Sequence, residues 1–393
     1  MRTLHYIASF FPYDRGATHS AIRLARGLRE RGVEVEFIVE DLGPEWRDGG
    51  TYDGFPVRSF PVTNPGKKRK LNGFLSLRRY LRERRGQYDL FHVHGGPYMN
   101  LLLAWRAGKW LNCPTMMKMT LDGWDTPDGV AKARHGWWAL PLFNRLDGVV
   151  AMTSGQAEKC RAWNIKGRVE VIPNGVDTDH FIPLPASEKA SLRQSMHLPV
   201  DRPIMAYAGY LGDVKGTDIL FKTWDRLRQT IPDLQLLLIG NYMGDTNMSA
   251  SLDAFLERHG IDPALARHPS VHQTGKLDSV VRGLQCADVF VFPSRQEGFG
   301  TVQIEAMACG LPCVVNDLPG VSCDIYPTEE VGYRITDNRV EGFVAVLEKL
   351  FTSPDTARRV GQAARERAVQ HFSVASVAAR YLEFYNQLTG RST

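Results

Sequence analysis

Along almost the whole chain, short apolar runs alternate with longer stretches whose apolar residues recur at helical spacing. That alternation is the pattern of parallel sheets with helices on both faces. Residues 4–9 read as a buried strand that ends in the loop FFPYDRGATH. In the following SAIRLARGLRERG, Ile22, Leu24, Ala25 and Leu28 keep helical spacing, and Gly32 supplies the stop. Residues 33–39, 90–93, 115–119 and 149–152 read as further strands, with helix-length segments between most of them. Neither element type can continue through VIPNGVDTDHFIPLP, which is rich in Pro, Asp and Asn. The alternation then restarts, with strands at 204–208, 234–239, 289–292 and 313–315, and from Val340 onward the chain reads as consecutive helices. The expected fold is α/β, with two Rossmann-like doubly wound domains and an interdomain cleft. The boundary is set at 185/186, giving domains of 1–185 and 186–393, with the terminal helices at about 374–390 able to return to the first domain.

A chain of 393 residues with 43% apolar residues is long enough for two separate cores. No window holds 18 consecutive apolar residues, and the first sixteen lack the pattern of a secretory leader, so a cytoplasmic location is expected. The six cysteines show no metal-ligand spacing and are expected as reduced thiols, with Cys309 and Cys313 in packing positions. Dinucleotide, P-loop, zincin and α/β-hydrolase signatures are all missing. His92 and His94 alternate on one strand and face the same side, but a pair without a further Asp or Cys at suitable spacing falls short of a metal site. Most of the tryptophans at 105, 110, 124, 137 and 138 are expected in the core, and one exposed near Asp125 could stack on a sugar.

Charge is unevenly spread. Residues 1–180 carry 27 Lys and Arg against 19 Asp and Glu, a net +8, whereas the remainder is −3. Within the front half, KKRKLNGFLSLRRYLRERR (67–85) holds nine cations and one Glu, with Leu71, Phe74, Leu75, Leu77 and Leu81 interleaved. As a helix it is either packed on its own domain by that stripe or docked on an anionic membrane surface. Nucleic acid is not expected, because no aromatic-lined single-strand motif accompanies the charge.

The most informative stretch is VFVFPSRQEGFGTVQIEAMACGLPCVV. A strand at 289–292 runs through Pro293 and Ser294 into a glycine-flanked loop holding Glu297, then into a helix from Thr301 that stops at Gly310. Backbone amides from Gly298 to Val302 then lie at a helix N-terminus, and Gly298 and Gly300 carry no β-carbon to block an approaching anion, most naturally a phosphate. Glu305 follows Glu297 by eight residues, so the two suit hydrogen bonding to different parts of an elongated, hydroxyl-rich ligand.

This segment resembles the Glu-x7-Glu motif of the retaining GT-B glycosyltransferases of family 4. The resemblance extends through QYDLFHVHGG, LDGVVAMTSGQAE, VEVIPNGVDTDHF and YAGYLGDVKGTDIL, in the family's order. It implies transfer of a sugar from a UDP- or GDP-sugar to a hydroxyl of a glycan or lipid-linked acceptor, in synthesis of envelope polysaccharide or lipopolysaccharide. Neither cofactor nor metal is implied. Carried over by position, Glu297 contacts the donor sugar near its reacting carbon, and Glu305 accepts from the ribose hydroxyls. Lys215 sits on the diphosphate with the amides of Phe299, Gly300, Thr301 and Val302 and the loop around Gly16. Glu297 and Lys215 are the catalytic candidates.

Three positions depart from the family pattern. Tyr210 stands where an Arg usually follows Gly209, and Ala17 replaces the second Gly of the first-domain loop. MMKMTLDGWDTPD lacks the usual acceptor-side His and offers Thr120, Asp122 and Asp125 instead. Lys118 and Arg15 are the candidates for the missing cation. These departures keep two rivals open: a non-catalytic GT-B protein that binds nucleotide sugar or glycan, and a GT-B sugar-nucleotide epimerase.

Overall fold

A computed structural model describes residues 1–8, 10, 16–40, 50–60, 67–96, 98–134, 136–240, 248–275 and 279–391. The chain divides into two compact units, Met1–Gly175 with Val374–Thr393, and Val176–Ser373. The division therefore falls at Gly175/Val176 rather than at 185/186, and the helix Val374–Thr389 counts with the first unit. The cause lies in its buried face. Val377, Ala378, Tyr381, Phe384 and Tyr385 share one apolar cluster with Ala21, Leu24 and Ala25 of the helix Gly16–Arg29.

The first unit is built on an eight-stranded sheet. Its strands are β1 (Arg2–Ile7), β2 (Glu34–Val39), β3 (Thr51–Tyr52), β4 (Phe55–Ser59), β5 (Leu90–His94), β6 (Thr115–Lys118), β7 (Gly148–Ala151) and β8 (Arg168–Val171). They lie in the order β3-β4-β2-β1-β5-β6-β7-β8, and all pairings are parallel except β3 with β4. Alternate residues go to opposite faces, as strand geometry demands. Leu4, Tyr6, Phe91, Val93 and Met117 join Leu77, Tyr80 and Leu81 of the helix Lys67–Glu83 in one cluster. Ile7, Phe37, Leu90 and Met116 join the C-terminal helix in the other. The apolar stripe of the basic helix is thus largely used within its own unit. Leu77 and Leu81 are fully buried, while Leu75 stays exposed.

The second unit has six parallel strands, in the order β11-β10-β9-β12-β13-β14. These are β9 (Ile204–Ala208), β10 (Gln235–Ile239), β11 (Val271–Gln273), β12 (Val289–Phe292), β13 (Cys313–Asn316) and β14 (Tyr333–Ile335). Central strands such as β9 and β12 are apolar along their whole length because helices cover both faces. Cys309 and Cys313 are buried in this unit, as packing residues should be.

The apolar runs do not announce β3, β4, β8, β11 or β14. Four of these five are the edges of the two sheets. Edge strands are short and half-solvated, so they leave no apolar run to read. β8, for example, alternates exposed and half-buried residues over Arg168–Val171.

Both sheets reverse their winding once, between β1 and β5 in the first unit and between β9 and β12 in the second. Such switch points are where open parallel sheets place ligands, because the loops leaving the two strands there part in opposite directions. Among the described residues, no helix is long and apolar enough to cross a membrane.

Candidate active site

At the switch point of the second unit, two loops leave the C-terminal ends of β9 and β12. The first holds Gly209, Tyr210 and a short 3-10 turn, Asp213–Lys215, and ends at Gly216 before the helix Thr217–Leu227. The second holds Glu297 and ends at Gly300, where the helix Thr301–Ala308 begins. Hydrogen bonds stitch the loops together. The Arg295 amide donates to the Val214 carbonyl (2.7 Å), and its guanidinium donates to the Asp213 carbonyl (2.6 Å) and grips Asp218 with two nitrogens (2.7 and 2.8 Å). Burial alone would raise the Asp218 carboxyl, but these bonds and the Arg295 charge outweigh it and hold it below its ordinary value. Asn316 fixes the base of the second loop by donating to the Ser294 carbonyl (2.8 Å). Gly216 has φ +67°, and a β-carbon there would lie 2.0 Å from the Pro293 carbonyl oxygen, so no other residue lets the loops approach this closely.

The result is a charged pair held on a rigid frame. Lys215 Nζ donates to Glu297 Oε1, with the two side chains only 14% and 10% exposed. The Tyr210 ring lies under the ammonium, 5.1 Å from centroid to Nζ, and Phe292 lies 5.7 Å away. Tyr207 donates to the Tyr210 carbonyl (2.7 Å). Both tyrosine hydroxyls are pushed above their ordinary value, first by burial and then by the Glu297 charge.

The helix Thr301–Ala308 starts at Gly300, which has φ +77°, and no side chain caps it and no acid sits in its first turn. The one carboxylate beside this end, that of Glu297, is paired with Lys215, and the helix dipole favours an anion there. Glu305 lies one turn further on and is 6% exposed. Phe299 buries its ring against Phe372 at 6.0 Å between centroids, so its backbone rather than its side chain is available to a ligand. Tyr210, Lys215, Glu297, Gly298, Gly300, Thr301, Val302 and Glu305 thus belong to two adjoining loops and one helix. The Arg295–Asp218 clamp is the part of this site that sequence reasoning missed. Its partners lie 77 residues apart, each inside a segment that resembles the family, and only the fold shows that they pair.

The first unit's candidates are differently placed. Asp125 is fully buried, and its carboxylate accepts from Thr120 N (2.8 Å), Thr120 Oγ1 (2.7 Å) and Leu121 N (3.0 Å). It builds its own loop instead of facing outward. Burial pushes it up to about 6 against the lowering effect of those bonds. Asp122 pairs with Lys159 (2.6 Å), which also reaches Asp128 (3.3 Å). Trp124, beside Asp125, is 57% exposed, as the one exception expected there, and Trp137 is 75% exposed, while Trp110 and Trp138 pack half-buried against the core. The Trp124 and Trp137 rings are not needed for packing. Lys118 is 2% exposed and donates to Ser20 Oγ (2.9 Å) and Asn174 Oδ1 (2.6 Å). Gly16 opens the helix Gly16–Arg29 and is exposed, with nothing near its missing β-carbon. Arg15 lies outside the described residues.

Sequence comparison agrees with this architecture. The family described as Glycosyl transferase 4-like domain matches residues 15–175, and the one described as Glycosyl transferases group 1 matches residues 188–367. A D-inositol 3-phosphate glycosyltransferase of Xylanimonas cellulosilytica is 27% identical over 97% of this chain and 95% of its own length. HepE of Anabaena, solved with UDP and glucose, superposes with a TM-score of 0.76 at 20% identity, covering 98% of this chain and 99% of that one. Sucrose-phosphate synthase of Thermosynechococcus elongatus gives 0.79 at 21% identity over the whole of both chains. On its two matched domains and its paired parallel sheets, the chain belongs to the group 1, family 4-like glycosyltransferases of GT-B fold.

Proposed function

We propose that the chain transfers a sugar, with retention of anomeric configuration, from a nucleoside diphosphate sugar to a hydroxyl of a glycan or lipid-linked acceptor. The observation that carries this reading is the Lys215–Glu297 pair at the β9/β12 switch point, beside an uncapped helix N-terminus. Cleaving the bond to the diphosphate leaves negative charge on phosphate and positive charge on the anomeric carbon. A fixed cation and a helix N-terminus stabilise the first, and a carboxylate stabilises the second. Lys215 and the amides from Gly298 to Val302 take the diphosphate, and Glu305 takes the ribose hydroxyls. Once Lys215 turns to phosphate, Glu297 is released toward the reacting carbon. In this mechanism the departing phosphate accepts the proton of the acceptor hydroxyl, so no protein nucleophile and no metal takes part.

The test is a thermal-shift screen of UDP- and GDP-sugars, beginning with UDP-glucose, followed by release of nucleoside diphosphate in the presence of acceptor extracts. D-inositol 3-phosphate, named for the Xylanimonas relative, belongs among the acceptors tried. A ligand at 100 times its dissociation constant adds about 2.7 kcal/mol of stability. Stabilisation without turnover in any acceptor mixture would favour a binding protein over a transferase.

The lipid-linked acceptor rests on the +8 front half and the nine cations of 67–85, which suit an anionic surface at the cytoplasmic face of a membrane. Because Leu77 and Leu81 are buried, that contact is electrostatic rather than an insertion. Pelleting with anionic vesicles at low salt, lost when Lys67, Lys68, Arg69 and Lys70 become Gln, supports it. A chain that never pellets has lost that argument.

A further inference from the structure

At the switch point of the first unit, three imidazoles converge. His5 on β1 and His92 on β5 are register partners, and His94 follows two residues along on the same face. One nitrogen from each lies within 4.8 Å of the other two, and among the described residues no other group of three or more His, Cys, Asp or Glu gathers so closely. The His92 and His94 rings stack at 4.0 Å between centroids, and His5 Nδ1 lies 3.0 Å from His94 Nε2. His5 and His92 are fully buried, and His94 keeps 4% exposure at the C-terminal end of its strand.

The surrounding hydrogen bonds orient these rings. The Thr3 hydroxyl donates to the Glu34 carbonyl (3.3 Å), so its oxygen is left to accept from His5 Nε2 (3.1 Å). His5 therefore turns the lone pair of Nδ1 toward His94. Tyr385 of the C-terminal helix holds His92 through Nδ1 (2.7 Å), and His92 Nε2 has no partner. A buried nitrogen without a partner is costly to the fold, and a ligand there removes that cost. Two of the three rings thus have one nitrogen tied to a hydroxyl and the other left for a ligand, the arrangement that surrounds metal-bound histidines.

We propose that His5, His92 and His94 bind one transition-metal ion of the kind that prefers imidazole, such as zinc, through His5 Nδ1, His92 Nε2 and His94 Nε2. Tetrahedral bonds of about 2.0–2.1 Å put ligand nitrogens about 3.4 Å apart. The His5–His94 pair is already near that spacing, and His92 completes the set by turning Nε2 to the same point. No carboxylate joins the cluster, so magnesium and calcium are poor candidates. The ion would tie β1 to β5 beneath the C-terminal helix. Its role is structural, separate from the sugar-transfer site of the second unit.

The experiment uses the full chain without a polyhistidine tag, stripped by chelator and titrated with Zn²⁺ and, for its visible spectrum, Co²⁺. One equivalent of Co²⁺ should give a visible nitrogen-ligand spectrum that Zn²⁺ abolishes, and Zn²⁺ should raise the unfolding midpoint. His92→Phe keeps a buried ring and should lose that equivalent. Tyr385→Phe should weaken it about 10-fold or more, as loss of an outer hydrogen bond does. Uptake equal in wild type and His92→Phe would assign the ion to surface histidines and overturn the proposal. So would no uptake at all. If His92→Phe fails to fold, unchanged affinity in Tyr385→Phe overturns it instead.

Discussion

The two sheets reverse at equivalent places, β1/β5 and β9/β12, and fill those places with opposite chemistry. In the second unit the polar groups sit on the loops beyond the strands, where Lys215 and Glu297 keep part of their surface in solvent. In the first unit they sit on the strands themselves or fold back into their own loop, as His5, His92 and Asp125 do at 0% exposure. A polar group beyond the strand end is free to exchange its partner for a ligand. One within the sheet or sealed in a loop is walled off from the donor, and removing it damages structure before it damages donor binding. The same topology therefore carries the proposed transfer site in one unit and an internal polar cluster in the other.

The strongest way to break this contrast is to remove the Glu297 carboxylate. Glu297→Gln is expected to lower the turnover number by about 100-fold or more, the scale of losing one well-placed electrostatic group. Donor affinity should hold or rise, because Lys215 is no longer engaged by its partner. A wild-type turnover number with only a raised Michaelis constant would place Glu297 outside the chemistry.

In the first unit the corresponding test is stability against pH. Asp125 rises to about 6 in the folded chain from an ordinary 3.8, so the folded state holds more protons between those values. Stability from this group is full below about pH 4 and is lost as pH climbs through 6. Relative to Asp125→Asn, the wild type should lose up to about 3 kcal/mol between pH 4 and 6 in urea unfolding. A flat or growing difference would mean that Asp125 faces solvent. Smaller still is Glu305→Ala, which should weaken nucleotide-sugar binding by about 1–3 kcal/mol while leaving the unfolding midpoint nearly unchanged. Unaltered affinity by calorimetry in that variant removes Glu305 from the site.

What could be read from sequence follows from how local each feature is. The helix Thr301–Ala308 and its glycine-flanked entry occupy one continuous stretch, and the resemblance to family 4 rests on such stretches in order. The nine apolar strands were legible because burial on both faces writes itself as an unbroken run, as in β9. The edges were not, since β8 and β11 keep no fully buried residue. Pairing across the chain was also hidden. His92 and His94 could be seen to share a face, but their third partner, His5, is 87 residues earlier than His92 and meets them only through the register of β1 on β5. Asp125 shows the reverse failure. Its residue type suggested an acceptor contact, and only the three hydrogen bonds it accepts reveal a loop-building role.

The most direct test of the central claim, that the donor diphosphate is held by the loops beyond β9 and β12, is calorimetric titration of wild type and Lys215→Met with a nucleotide sugar that stabilises the wild type. Losing a hydrogen bond to a charged group costs about 1.5–3 kcal/mol, so affinity should fall by about 10- to 150-fold in a variant that still unfolds cooperatively. Equal affinity in the two proteins would contradict the account and move the donor away from Lys215.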